Sequence, residues 1–475
     1  MSLIADKDSL LSDSSEKVKS NKSNSHGLAL FKWFSEKFQA GSVHGSTFEL
    51  ISATIGAGVL TLPYALGKSG LTLGIIQAVI CAALGYYSTS LLAKCGEMAK
   101  KYSYTELAMA TYGPAFQFFV KTVFFLNNWG GCVIYTILIT NLIGTSFSIF
   151  FPNLPDFLTD TDSYVWPPLY TTLIILPLSL YRNLSALRYA CLAGFGFIMY
   201  LVFVIVYQSD KVADLKHNFQ MADQFIWDGV KLTFPPLVFS YSCHANVLDV
   251  YHELRRPTIE RMNVVLFRTM FVAAVVFIVV GAFGYLTFVD HIPYLNCPKN
   301  ILLSFSYVNW PTSTVLAVLC IGVTINLAMP LGIKPSKDSL RDLIVFEKTE
   351  KVERQKDEEE SGLKDSLLSE TDDGSHAHQK KESMLLHISL VVFVVYSQMF
   401  VAMFAKSMER VITLLGASAF PLISYNFPCM FYLKLDKSPW YSPHRLFCHF
   451  INFTMFLLAI YCTYAFFIDS DDCKA

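Results

Sequence analysis

The sequence predicts an all-α integral membrane protein of eleven transmembrane helices, built as two successive halves of five with one helix added. Three observations carry that expectation. Hydrophobic residues make up 53% of the chain and charged residues only 16%, where soluble domains carry roughly a quarter charged. Apolar runs long enough to cross hydrocarbon recur along the chain. Two of them, the first and the sixth, are interrupted by helix-breaking or polar residues at comparable depth.

With about 20 apolar residues needed per crossing, candidate spans fall at 45–66, 71–93, 117–150, 165–181, 190–208, 229–250, 264–288, 310–332, 384–404, 411–433 and 446–467. The third is long enough to tilt strongly or to continue beyond the membrane. The sixth is the weakest by hydropathy, because it carries Lys231, His244 and Asp249. An odd number of spans puts the two ends of the chain on opposite sides. Lys and Arg in short loops mark the cytosolic side. With the N-terminus inside, twelve lie in inner loops (Lys94, Arg188, Arg255 and Lys434 among them) and seven in outer ones. The expected topology is therefore a cytosolic N-terminus and an extracellular or luminal C-terminus.

The expected organisation is a membrane domain over 45–467, with a polar segment before it and another within it. Its first repeat covers 45–208, its second 229–433, and the extra helix 446–467. Residues 1–40 are Ser/Lys/Asp-rich with no cleavable apolar core, so they read as a disordered cytosolic tail, with an amphipathic piece at "LALFKWFSEKF". Residues 335–383 are charge-dense and poor in aromatics, the composition of a disordered cytosolic loop. The aromatic share of 15% and the mean hydropathy of +0.42 point to a lipid bilayer as solvent. A net charge of −1 gives no electrostatic case for a nucleic-acid partner. The 11 Cys are scattered without CxxC or Cys/His metal spacing, so neither a disulfide framework nor a metal site is signalled, and no cofactor is expected.

The first span reads "ELISATIGAGVLTLPYALG", with Gly56 and Gly58 at its centre and Pro63 following. Small residues there have two readings, a helix-packing face or a break. A break in lipid exposes peptide groups that cost several kcal/mol each if unsatisfied, so it survives only where it faces protein, water or ligand. The sixth span, "DGVKLTFPPLVFSYSCHANVLDVYHELRRP", favours the break. Pro235 and Pro236 precede a polar centre at about the depth of the glycines. Interrupted segments in corresponding places of two halves point to an inverted-repeat transporter with its site at the midplane. Free N–H groups at a half-helix start hold a carboxylate there, and free carbonyls hold an ammonium or a cation.

At these residues the chain resembles the amino acid/auxin permease family through "ISATIGAGVLTLPYAL". It is similar to the sodium-coupled neutral amino acid transporter branch in "NNWGGCVIY", "SYSCHANVLDVYHEL" followed by "RMNVV", "GAFGYLTF", "AMPLGIKPSKDSLRDL" and "ITLLGASAFPLI". The stretches come in order from Gly45 to Tyr464. The resemblance implies a LeuT-type fold, a five-plus-five inverted repeat plus one helix with the first and sixth helices broken, and amino acid substrates. It implies that the α-carboxylate meets backbone N–H groups at Gly56, Ala57 and Gly58. The ammonium would meet carbonyls near Thr54 and in Phe239, Ser240, Tyr241 and Ser242. Gly131 and Tyr135 would border the pocket, although Tyr135 also reads as an ordinary buried tyrosine with a satisfied hydroxyl.

Coupling is where the sequence departs from that branch. Sodium-coupled members carry an Asn side chain just before the Gly-x-Gly and a Thr hydroxyl in the eighth helix. The aligned positions here are Ser52 and Ala328. Ser52 keeps an oxygen and Ala328 offers none, while Thr324 stands about one helical pitch away. Any Na+ site is therefore a weak one. The rival coupling ion is H+, with Glu49 in the first span and His244 and Asp249 in the sixth as ionisable groups at membrane depth. Against that role, Glu49 and Asp249 also read as interfacial partners of Arg255 or as half-helix caps, and His244 as a packing residue.

The segment "DKDSLL", from Asp6 to Leu11, resembles an acidic dileucine trafficking signal and offers an adaptor-binding site. It tilts the expected location toward lysosome, vacuole or endosome rather than plasma membrane. Cys297 and Cys473 both fall on the outer side of this topology, which leaves their pairing open. The functional expectation is a secondary active transporter of amino acids, neutral ones foremost, working by alternating access on a proton or sodium gradient. The alternative is an amino-acid sensor that uses a transporter fold with little flux. A channel would show charged rings or a repeated filter loop, and an enzyme a GxSxG, HExxH or P-loop motif. Neither set is found.

Overall fold

The computed structural model describes residues 41–151, 153, 155, 158, 163–180, 187–289, 312–361, 384–405 and 407–469. The tail, on which a trafficking signal and an amphipathic piece are expected, lies outside these residues together with Cys297 and Cys473. The described chain is helical throughout. Its helices are α1 (Val43–Thr54), α2 (Leu62–Ser69), α3 (Leu71–Ala99), α4 (Tyr104–Tyr112), α5 (Pro114–Phe150), α6 (Trp166–Leu180), α7 (Leu187–Val212) and α8 (Leu215–Met221). There follow α9 (Val230–Ser240), α10 (His244–Glu253), α11 (Ile259–Thr287), α12 (Thr312–Ser361), α13 (Met384–Ala405), α14 (Met408–Ala417), α15 (Ala419–Leu435) and α16 (Pro443–Asp469).

Local chemistry sets the ends of these helices. The Ser42 hydroxyl accepts from the Gly45 N–H at 3.0 Å and starts α1, and Thr258 caps α11 in the same way. Pro114 opens α5, where its missing N–H costs nothing. Gly70 turns the chain from α2 into α3 at φ +84°, and a β-carbon there would stand 2.7 Å from the carbonyl carbon of Gln224. That close backbone approach requires glycine.

The count of spans differs from the eleven expected. Among the described residues, six helices are long and apolar enough to cross a membrane, and up to nine if each bent pair is one span. The two remaining sequence segments fall short for physical reasons. The 165–181 segment is a 15-residue helix with a π turn over Thr171–Ile175. The 229–250 segment is divided into the short helices α9 and α10 and carries the polar residues noted above. A second difference lies in α12, which runs on to Ser361 where a loop was expected from residue 335. Glu, Lys, Arg and Gln dominate that stretch, and all four are good helix formers even where composition disfavours a packed core. Residues 362–383 lie outside the described part.

Packing encloses α1 and α9. α11 lies along α1, α2 and α3; α12 lies along α5 and α7; α9 packs against α2 and α14. Leu50, Ile55 and Leu237 are fully buried there. Outward faces are apolar instead: Phe267 and Phe271 on α11, Phe400 and Phe404 on α13, and Phe450 and Phe453 on α16 are all exposed. Apolar surface on this scale meets lipid or a partner rather than water.

Candidate functional site

Helical bonding in the first segment stops at Thr54. Ile55 (φ −86°, ψ 86°) and Gly56 (φ −116°, ψ −145°) leave the helical region, and a short 3-10 turn over Ala57–Thr61 leads into α2. The axis bends by 49° across the interruption. The Ile55 N–H still donates to Ile51 O at 2.8 Å, the Gly56 N–H to Thr54 O at 3.1 Å and the Val59 N–H to Gly56 O at 3.3 Å. The N–H groups of Ala57 and Gly58 lead the 3-10 turn, where no preceding turn supplies acceptors.

In the sixth segment α9 stops at Ser240 and α10 begins at His244. Pro235 and Pro236 lack the N–H groups that would bond one turn back, which weakens α9 from within. The Ser240 hydroxyl donates to Pro236 O at 2.8 Å. Tyr241 (φ −83°, ψ 1°) and Cys243 (φ −113°, ψ 7°) carry the chain across the gap.

The two interruptions touch. A β-carbon on Gly58 would collide with Ser240 Oγ and stand 3.1 Å from the Phe239 ring. Glycine fits there because the Ser240 and Phe239 side chains fill the space a β-carbon would need. From α5, Tyr135 Oη reaches the first interruption, 3.1 Å from where a β-carbon on Gly56 would sit. Gly131, one turn earlier on α5, faces open space with nothing within 4 Å of such a carbon. Phe239 meets the Phe420 ring of α15 at 4.7 Å, edge to face. Peptide groups, a phenol hydroxyl and aromatic edges therefore converge beside a gap in the packing.

The other sequence-expected residues are placed as follows. Thr54 is buried and its hydroxyl donates to Leu50 O at 2.6 Å. Tyr241 turns into the core against Phe277, ring to ring at 4.9 Å. Ser242 bonds Ser424 at 2.9 Å between hydroxyl oxygens. His244 is buried with its Nε2 2.7 Å from Ser88 Oγ. Ser52 is half-buried on α1. Thr324 and Ala328 are half-buried on α12, where the Thr324 hydroxyl donates to Cys320 O at 2.9 Å and its methyl faces Gly194 of α7. Glu49 and Asp249 are both exposed. The structure thus brings Gly56, Gly58, Tyr135, Phe239 and Ser240 together and sets Thr324 and Tyr241 on other contacts.

Sequence reasoning missed Ser424, Ser88 and Phe420. Ser424 lies in a π turn over Leu422–Asn426, a feature that concentrates at functional sites. No residue pattern announces that turn. Among the described residues, no group of three or more His, Cys, Asp or Glu is placed to hold a metal ion.

The described residues form an all-helical fold with six to nine candidate membrane spans, the class of a multi-pass membrane protein. The family described as "Transmembrane amino acid transporter protein" matches residues 39–468, and the chain belongs to that family, the amino acid/auxin permeases. It is 25% identical over 402 residues to mouse (Mus musculus) solute carrier family 38 member 10, covering 83% of this chain and 33% of that protein. It is 26% identical over 419 residues to vacuolar amino acid transporter 6 of Saccharomyces cerevisiae, covering 83% and 90%. The chain therefore spans about a third of the length of its solute carrier relative and most of the yeast one. These relatives are transporters, not enzymes. In fold it is similar to a Na+-coupled sialic acid symporter solved in a substrate-bound outward-open state, with a TM-score of 0.54, 12% identity and 88% of each chain covered. That likeness is one of architecture, the LeuT-like arrangement of helices.

Proposed function

We propose that this protein is a secondary active transporter that moves amino acids, neutral ones foremost, across a membrane by alternating access. The observation that carries the reading is the contact of the two interruptions, Gly58 on Ser240, with the leading N–H groups of Ala57 and Gly58 beside it. A substrate carboxylate there gains hydrogen bonds from a helix start and the favourable end of its dipole. The ammonium is taken by carbonyls at Thr54 and over residues 239–242, where Thr54 O and Phe239 O each keep a lone pair beyond the turn bonds from the Gly56 and Ser242 N–H groups. Gly131 leaves room for a side chain, and Tyr135 borders it. Gly56, Gly58, Tyr135, Phe239 and Ser240, the described residues that meet there, are all uncharged, which suits an uncharged side chain. The names of the yeast and solute carrier relatives support amino acids as cargo.

The full architecture in this reading is eleven spans, with the first and sixth broken and related by the inverted repeat. The nine spans and bent pairs, with α6 and the α9–α10 pair added, supply the segments for it. The N-terminus is cytosolic and the C-terminus luminal or extracellular. An internal acidic compartment is the favoured membrane, in keeping with the vacuolar relative. Coupling is to a proton or a sodium gradient. Ala328 weakens a sodium site, and the exposed carboxylates of Glu49 and Asp249 offer proton sites on α1 and α10.

Uptake of radiolabelled alanine and glutamine into proteoliposomes under imposed gradients tests the proposal. A pH gradient is expected to drive accumulation, and Glu49→Gln to abolish the drive while leaving exchange intact. Tight amino acid binding with no uptake under either gradient would instead identify a sensor.

A further inference from the structure

α15 and α16 run antiparallel and pair along one seam. Asn426 Nδ2 donates to Asn452 Oδ1 at 2.7 Å and to Asn452 O at 2.9 Å. One turn on, Cys429 and Cys448 take the facing positions of the same seam. Another turn on, the rings of Tyr432 and His444 stand 5.0 Å apart, edge to face. Each step forward on α15 is a step back on α16, so the thiol pair is held in register from both sides. Both thiols are fully buried. Tyr87 Oη of α3 lies 3.3 Å from Cys448 Sγ, and a third thiol, Cys95 of α3, donates to Pro428 O at 3.9 Å. A buried cysteine is ordinarily a small apolar filler. What sets these two apart is the pairing of thiol with thiol beside a phenol, a group able to donate to sulfur.

We propose that Cys429 and Cys448 form a redox-active dithiol, which a peroxide converts to a disulfide that ties α15 to α16 and slows the transport cycle. Hydrogen peroxide is small and uncharged enough to reach a site within about two helical turns of the 436–442 connection. Cys448, with the Tyr87 hydroxyl at its sulfur, attacks the peroxide. The O–O bond breaks, one oxygen stays on sulfur as a sulfenic acid, and the other leaves as water with the thiol proton. Cys429 then attacks that sulfur, the S–O bond breaks, and the second oxygen leaves as water with the Cys429 proton. Two thiols lose two electrons and two protons, and one peroxide becomes two waters. The sulfurs close to a bond of about 2.05 Å.

The consequence for transport rests on the function proposed above; the linkage itself does not. Ser424, five residues before Cys429 on α15, holds Ser242 of the second interruption at 2.9 Å. Fixing α15 to α16 therefore restrains a helix that touches the site.

The test uses the full chain in proteoliposomes, treated with hydrogen peroxide, alkylated and mapped by peptide mass spectrometry. A linked peptide joining Cys429 to Cys448 is expected, lost on reduction, absent in Cys429→Ser and Cys448→Ser, and retained in Cys95→Ser. Alanine and glutamine uptake should fall at least fivefold on oxidation, recover on reduction, and stay unchanged by peroxide in the two serine variants. No linked peptide, or linkage of Cys448 to Cys95, overturns the dithiol. A linked peptide with unchanged uptake overturns the restraint on transport. If the reduced protein takes up neither amino acid, the transport reading fails, and the peptide map still decides the dithiol.

Discussion

Gly58 packs directly against Ser240, so that the interrupted first segment and the interrupted sixth segment meet with no side chain between them on the glycine side. Any β-carbon at residue 58 meets the Ser240 hydroxyl, which is itself tied to Pro236 O. Gly58→Ala is therefore expected to destabilise the protein by about 1–3 kcal/mol, the usual cost of overpacking, and to lower uptake at least tenfold. Ser240→Gly in the same chain should recover part of the stability. Thermal unfolding of the single and double variants in detergent measures both effects.

Gly56 and Gly131 should behave differently although both lie near Tyr135, Gly56 against its hydroxyl and Gly131 one turn before it on α5. A β-carbon at Gly56 stands 3.1 Å from Tyr135 Oη, whereas one at Gly131 meets nothing within 4 Å. Gly131→Ala is expected to leave the unfolding midpoint within about 1 °C of the parent, since a surface or cavity methyl changes little, and to raise the KM for the larger substrate more than for the smaller. Gly56→Ala should raise KM for both, with partial recovery on adding Tyr135→Phe. Kinetics with glutamine and alanine separate the two patterns.

The Ser242–Ser424 hydroxyl pair joins the second interruption to α15. A double-mutant cycle with Ser242→Ala and Ser424→Ala should give a coupling energy of about 0.5–1.5 kcal/mol, the net worth of one neutral hydrogen bond. A coupling near zero in chemical denaturation would show that the two hydroxyls act independently.

Part of this arrangement was legible in the sequence. Gly56 and Gly58 mark where helical bonding stops, because glycine tolerates the non-helical turn, and the Pro235–Pro236 pair marks the second weak point through its missing donors. The contact between Gly58 and Ser240 was not legible, since it joins residues 182 positions apart and depends on how two bundles pack. Ser424 escaped notice for a similar reason: a π turn leaves no residue signature. The extension of α12 to Ser361 was not legible because charge density describes the absence of a core, while helix propensity is local and survives that absence. Glu49 and Asp249 were legible as ionisable groups within the first and sixth segments, and both are exposed on α1 and α10.

Asp436, just beyond the end of α15, bonds the Ser438 hydroxyl and accepts from the Ser438 N–H at 3.3 Å. These bonds, led by that of the Ser438 hydroxyl and helped by nearby Arg445, hold its carboxyl below the usual aspartate range. A depressed folded-state pKa stabilises the fold above the unfolded value of about 3.9 and is lost as pH falls through the folded value. Asp436→Asn should therefore lower the unfolding midpoint at pH 7, with the difference from the parent vanishing as pH drops below about 4. Midpoints recorded across that range check the sign.

The most direct measurement is an experimental density map of the protein with alanine or glutamine bound. The substrate carboxylate is predicted within about 3 Å of the Ala57 and Gly58 nitrogens, its ammonium toward the carbonyls of residues 239–242, and its side chain toward Gly131. Unbroken helix from Leu50 to Leu62, or substrate seated away from Gly58 and Ser240, would contradict the account.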